Sequence, residues 1–197
     1  MQTIFVISGP TNAGKTTIMS AVMALGLPVS QVITSNSRAP RPDETDGVQY
    51  HFFTREEFER RIAADEFIEW AVVHNDYKGV LRSSIFEDIP KDRDIMLQLD
   101  VQGFNNIKRT LDKSSYRVVG IFIEPPDMDA IVERMRKRGV DTDTNDIKKR
   151  LDDAEEEMEQ RFAYDYIVVN DVLAHAVEEV AGIIRSNLTP PETGELF

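Results

Sequence analysis

Gly9-Pro10-Thr11-Asn12-Ala13-Gly14-Lys15-Thr16 is a complete G-x-x-x-x-G-K-T loop, placed directly after the apolar run Ile4-Phe5-Val6-Ile7-Ser8. A strand that enters such a turn points successive backbone N–H groups inward, and a helix beginning at about Lys15 aims its positive end at the same spot. Phosphate oxygens are the natural occupants. Lys15 reaches β- and γ-phosphates as a mobile point charge, and Thr16 offers its hydroxyl to a Mg²⁺ that bridges them. The pattern predicts a nucleoside triphosphate site and leaves the reaction open.

A second set of phosphate-seeking groups lies in Ser37-Arg38-Ala39-Pro40-Arg41-Pro42, where the prolines keep the backbone extended. Two guanidinium forks on a stiff loop suit a phosphate dianion, and Tyr50 adds a hydroxyl donor. The same residues also read as a solvated basic turn paired with Asp43, Glu44 or Asp46.

These groups need a frame, and hydrophobic periodicity supplies it. Strand and helix signals alternate along the chain, the mark of a parallel sheet with helices on its faces. Ile18, Ala21, Val22 and Leu25 recur at helical spacing, and Gly26 with Pro28 ends that helix. A short strand follows from Gln31 to Ser35, then a loop from Asn36 to Asp46 and a strand from Val48 to Phe53. Thr54 and Glu57 form a T-x-x-E capping box opening a helix through about Ala64, and Phe67 to His74 has strand composition. In the second half, Ile95 to Asp100 and Val118 to Ile123 suit a buried parallel sheet, with a helix from about Gly103 to Leu111 between them. Asp127 caps a helix to Arg138 that closes at Gly139, and a charged helix runs from about Asn145 to Phe162. Ile167 to Val169 is a last strand, Val172 to Arg185 a last helix, and Thr189 to Phe197 a frayed tail.

With 197 residues and 41% hydrophobic content, one substantial core is expected. A net charge of -12 argues against a general nucleic-acid surface, so phosphate binding must be local. The absence of cysteine excludes disulfides and thiolate metal sites. No secretory signal and no membrane-length apolar run is read, so the chain is expected to be soluble and cytoplasmic.

Several further segments carry a resemblance. Thr34-Ser35-Asn36-Ser37-Arg38-Ala39-Pro40-Arg41-Pro42, Asp46-Gly47-Val48-Gln49-Tyr50-His51-Phe52, Glu66-Phe67-Ile68-Glu69-Trp70-Ala71 and Asp100-Val101-Gln102-Gly103 resemble guanylate kinase at that family's spacing. Glu124-Pro125-Pro126, the stretch from Arg134 to Gly139 and Val169-Asn170-Asp171 extend the likeness through most of the chain. It implies an α/β phosphate-loop kinase fold, a parallel sheet flanked by helices with a small mixed β insertion and a helical lid. The expected division is one domain over 1–188, with a core at about 1–34 and 86–188, an acceptor-binding insertion at about 35–85, a lid at about 135–152 and a flexible tail at 189–197.

The activity implied is ATP-dependent, Mg²⁺-assisted phosphorylation of GMP and dGMP. By resemblance, ATP lies on the loop from Gly9 to Thr17 and is met by Arg134, Arg138 and Asn170. Lys15, Arg38, Arg138 and Arg150 would be catalytic, and Thr16 and Asp100 would serve the Mg²⁺, partly through water. GMP would meet Thr34, Ser35, Arg38, Arg41, Tyr50, Glu69, Lys78, Val80, Asp100 and Gly103. The chemistry of Glu69 supports that role independently: a carboxylate only accepts, so it matches the N1–H and amine of guanine and opposes the N1 lone pair of adenine. An ordinary edge-strand acid is the plainer alternative, although an unpaired acid inside an apolar strand is costly. The partners implied are small-molecule nucleotides, with neither nucleic acid nor membrane, and the chain is read as a monomer or homodimer.

Four positions depart from the family pattern. Asn12 replaces a small loop residue, Lys78 a phosphate-binding Tyr, Val80 a Ser or Thr that donates towards the guanine carbonyl, and Gln98 an acid. Val80 and Gln98 leave open a kinase retuned for deoxynucleotides or a modified base. A binding module that has lost catalysis is the third reading, opposed by the complete loop. A phosphate-loop GTPase switch lacks its N-K-x-D motif here.

Overall fold

The structure, a computed structural model, describes residues 1–41, 44–73, 75–111, 114–137 and 145–190, the side chains of 145 and 146 excepted. In chain order the first elements are β1 (Gln2–Ser8), α1 (Lys15–Ala24), β2 (Val29–Gln31), β3 (Ser35–Asn36), β4 (His51–Phe52), α2 (Arg55–Ala63), β5 (Phe67–Val73), β6 (Asp76–Leu81) and α3 (Arg82–Phe86). The remainder are β7 (Asp94–Gln98), α4 (Val101–Thr110), β8 (Tyr116–Glu124), α5 (Met128–Lys137), α6 (Asn145–Glu159), β9 (Tyr166–Val169) and α7 (Leu173–Asn187).

All seven residues of β1 are buried, which places it at the centre of a parallel sheet ordered β2-β7-β1-β8-β9. A strand covered on both faces needs apolar side chains at odd and even positions alike. Ile4 and Val6 meet Leu97, Phe104 and Phe122 on one face. Phe5 and Ile7 meet Ile18, Val22, Val180 and Ile184 on the other, so α1 and α7 close that side. Each such aliphatic or aromatic side chain contributes about 1.5–3 kcal/mol by leaving water. Register then sets the site, since Ile7 pairs with Gln98 of β7 and Ser8 with Phe122 of β8. The carboxyl ends of the three central strands therefore open on the loop at 9–14.

A second sheet, ordered β4-β3-β6-β5, faces this edge. Phe58 of α2 packs it from outside, stacking on Phe67 at 4.3 Å and on Tyr77 at 5.2 Å. On the inner side β5 packs against α4 of the central layer.

Some boundaries differ from the sequence expectation. The strand expected from Gln31 to Ser35 is divided, because the chain passes from one sheet to the other between β2 and β3. The strand expected from Val48 to Phe53 shortens to β4, because Gly47 adopts φ +76° and Val48 N–H bonds back to Thr45 O at 3.1 Å, forming a turn. Neither β6 nor α3 was anticipated. The helix α4 begins at Val101 because Asp100 caps it, its Oδ1 accepting from Gly103 N–H at 2.9 Å. Asp127 caps α5 as expected, accepting from Ala130 N–H at 2.7 Å, while the expected stop at Arg138 and Gly139 lies outside the described residues. The charged helix ends at Glu159 and tightens into a 3₁₀ turn, Gln160–Ala163. Among the described residues no helix is long and apolar enough to cross a membrane.

Candidate active site

The phosphate loop closes on itself before any ligand is considered. Gly9 has φ +135°, and a Cβ there would sit 2.2 Å from the backbone oxygen of Ile123. Gly14 has φ +96°, with Asn170 Nδ2 2.3 Å from where its Cβ would be. Both positions need glycine for conformation and for room. Asn12, at φ +57°, takes the left-handed conformation that asparagine tolerates. The back of the loop is held by two cross-links. Arg134 donates to Asn12 O at 3.2 Å, Ala13 O at 3.0 Å and Asn170 O at 2.7 Å, and Asn170 Nδ2 donates to Ala13 O at 2.7 Å. Arg134 and Asn170, both read as ATP contacts, thus bind the loop's carbonyls. Gly9→Ala should lower stability by about 3 kcal/mol through strain and displacement of β8, read as a shift of the denaturant midpoint.

Lys15 lies over the loop mouth, its Nζ donating to Gly9 O at 2.6 Å and Pro10 O at 2.8 Å. Thr16 Oγ1 donates to Gln98 Oε1 at 3.1 Å. The amide at 98 therefore meets the hydroxyl assigned to the cation.

Across the cleft, Arg38 is held in a bidentate pair with Glu44, at 2.6 Å for each bond, and its guanidinium lies 5.4 Å from the ring centres of Tyr50 and Phe52. The Arg38 hydrogen bonds hold the Glu44 carboxyl below its ordinary range. Glu44 also accepts from Arg41 N–H at 2.8 Å, so one acid shapes the whole basic loop while the Arg41 side chain stays exposed. Burial pushes the Tyr50 hydroxyl above its usual value. Both readings of this loop meet here: it is an ion-paired turn, and its pairing preorganises the guanidinium.

Glu69 sits on β5 directly opposite Val80 of β6, and both are buried. Cross-strand partners share a face. Ala71 pairs with Lys78, and Lys78 with Asn36, so Asn36, Lys78, Val80 and Glu69 line one side of the sheet. Ser35 pairs with Gly79 on the other side, where its Oγ is buried without a hydrogen-bond partner. Thr34 O accepts from His51 N–H at 2.9 Å and ties β4 to this edge. Burial, reinforced by the charge of Asp100, pushes the Glu69 carboxyl up to about 8, against the pull of Asn106 and Lys78. Gly103 makes room for it, since a Cβ there would lie 3.1 Å from Glu69 Oε1. Lys78 acts on Glu69 and Glu157, so its charge is felt at the acid end of the cleft.

Glu157 of α6 was missed in the sequence. Its Oε2 is buried with no hydrogen-bond partner, and the charges of Lys15, Asp100, Lys78 and Asp153 all act on it. Burial pushes it up to about 7. The signal was helical phase: Ile147, Leu151, Ala154 and Met158 mark the packed face of α6, and 157 lies beside it. Arg150, on the same helix, is half-buried, and Arg138 lies outside the described residues.

A glycine cradle at the carboxyl end of a central parallel strand, with an acid-lined second sheet facing it, defines a phosphate-loop α/β nucleotide enzyme. The guanylate kinase family model matches residues 1–187. The chain is 36% identical to the guanylate kinase of Nitrosospira multiformis over 184 residues, covering 93% of this chain and 85% of that protein. It is 35% identical to the guanylate kinase of Carboxydothermus hydrogenoformans over 189 residues, covering 96% and 90%. The crystal structure of guanylate kinase from Anaplasma phagocytophilum superposes with a TM-score of 0.78 at 28% identity, covering 95% of this chain and 87% of that one. The chain belongs to the guanylate kinase family of ATP-dependent phosphotransferases.

Proposed function

We propose that this enzyme transfers the γ-phosphoryl group of ATP to GMP and dGMP. The observation that carries the reading is Glu69: a buried carboxyl across the cleft from the phosphate loop, acceptor-only once ionised. Guanine N1–H and its 2-amino group offer the two donors that such a carboxylate lacks. Arg38, Arg41 and Tyr50 receive the acceptor phosphate, with Glu44 yielding part of its hold on Arg38 as the dianion arrives. Thr34, Ser35, Lys78, Val80, Asp100 and Gly103 complete the acceptor region. Loop N–H groups and Lys15 receive the donor phosphates, and Arg138 and Arg150 reach them when the lid at about 135–152 closes on the core, with the insertion at about 35–85 closing from the other side. In-line alignment and water exclusion then carry the chemistry.

A magnesium ion fits the donor side: Mg²⁺ keeps several waters and asks the protein for few ligands, and Thr16 Oγ1 stands at the mouth of the loop beside Gln98. Thr16 and, through water, Asp100 would hold it, and the ion would neutralise charge on the bridged phosphates. Asp100 Oδ1 is committed to Gly103 N–H, which leaves Oδ2 for that task. We further take the chain to be cytoplasmic, with nucleotides as its partners, acting as a monomer or homodimer.

The test is ATP-dependent phosphotransfer with GMP, dGMP, AMP, CMP, UMP and dTMP. Turnover confined to GMP and dGMP is the expected result; turnover led by another base, or none, overturns the proposal. Val80→Ser adds a donor where the guanine carbonyl oxygen would lie and should lower the KM for GMP about fivefold. Its cost is about 1–3 kcal/mol of stability, because Val80 is fully buried.

A further inference from the structure

Glu69 packs on its α4 side against Gly103. Gly103 faces it without a Cβ, and Asn106, one helical turn on along α4, is half-buried. Asn106 and Glu69 share the wall of a cavity of about 250 Å³ between β5 and α4, with Arg109 and Thr110 beside them. Arg109 Nη2 donates to Asn106 Oδ1 at 2.9 Å. An amide whose oxygen is taken by a guanidinium has its NH₂ left to offer, and Glu69 is the buried acid on that wall. Donation from Asn106 also favours the charged form of Glu69, against burial and Asp100.

We propose that Asn106, oriented by Arg109, is a positioning residue for Glu69, holding the carboxylate in the orientation that meets a guanine edge. The inference rests on the assignment of Glu69 as the base reader. A glutamate has three rotatable bonds, and two-point recognition requires both oxygens to lie in the plane of the N1–H and the 2-amino group. Without a contact from α4, the carboxylate swings into the cavity and one of the two bonds is lost. Selectivity is thus set partly from the solvent side of α4, where Arg109 is exposed.

The experiment is steady-state kinetics with GMP and with IMP, which lacks the 2-amino group, on the full chain. Asn106→Ala should raise the KM for GMP about tenfold and shrink the preference for GMP over IMP, with kcat and the KM for ATP within about twofold. Arg109→Ala, on an exposed residue that folding does not need, should move the same ratio in the same direction by less. A GMP-to-IMP ratio unchanged in both variants overturns the proposal, as does an equal loss on both substrates. Glu69→Gln is run alongside: if that variant also keeps the wild-type ratio, the base-reader assignment itself has failed. If Glu69→Gln collapses the ratio while both α4 variants retain it, the positioning role alone is wrong.

Discussion

Lys15→Ala lowers kcat for GMP phosphorylation by about a thousandfold and leaves the KM for GMP within about twofold. The asymmetry follows from position. Lys15 holds the mouth of the phosphate loop through Gly9 O and Pro10 O, whereas Glu69 stands on the second sheet and Arg38 and Tyr50 on the loop segments that flank it. Its charge is therefore spent on the migrating group, which is most negative in the transition state. Folding should survive, because Gly9 and Gly14 still set the turn and Arg134 with Asn170 still brace it from behind. The loss of two part-buried hydrogen bonds costs about 1–2 kcal/mol, visible as a modest fall in denaturant midpoint. A second consequence appears at Glu157. Lys15 is the foremost charge opposing the burial that raises its carboxyl to about 7, so the variant should hold that group protonated to higher pH. Steady-state kinetics in both substrates, with circular dichroism as the folding control, check the result; a large rise in the KM for GMP would place Lys15 on the acceptor side instead.

The donor half of this site was legible because its requirements are local. Strand, turn and helix must be consecutive for the loop to work, and positive φ at Gly9 and Gly14 restricts the residue type, so eight adjacent letters carry most of the geometry. The acceptor half is assembled from pairs far apart in the chain. Nothing in Asn75-Asp76-Tyr77-Lys78-Gly79 reads as strand, since Asn, Asp and Gly are poor strand formers, yet β6 exists because β3 and β5 supply its partners on both edges. The facing of Glu69 and Val80 is a property of that register, whereas the family resemblance offers them only as two separate guanine contacts. The resemblance assigns Arg134 and Asn170 to ATP, but only the fold turns them towards the loop's carbonyls. Glu157 was hidden in an acidic helix because charge runs of that kind are normally solvated. Its burial comes from packing of α6, which composition does not reveal.

Glu69→Gln is expected to lower kcat/KM for GMP about a thousandfold, because two charge-assisted bonds to guanine weaken and the new amide presents a donor to a donor. The pH dependence distinguishes this cause from simple misfolding. In the empty pocket the Glu69 carboxyl is pushed up to about 8, chiefly by burial, so at neutral pH most molecules hold it protonated. Guanine needs the anion, and binding must expel a proton. Wild-type kcat/KM for GMP should therefore climb by nearly tenfold per pH unit, approaching about 8 from below, and level off above it. The glutamine variant has no proton to lose and should show no such limb. Stability runs the other way. A carboxyl whose folded value is raised above its unfolded value of 4.5 favours the fold below that value, and the advantage disappears as pH rises towards about 8. Without nucleotide, the variant should match the wild type in thermal midpoint at pH 4 to 5 and exceed it at pH 8. Saturating GMP should close that gap, since the bound guanine supplies the partners that the buried carboxylate otherwise lacks. Kinetics and thermal melts across this range, on both proteins, measure the two slopes independently. A wild-type kcat/KM for GMP that stays flat from pH 6 to 8 would remove Glu69 from the recognition of the base.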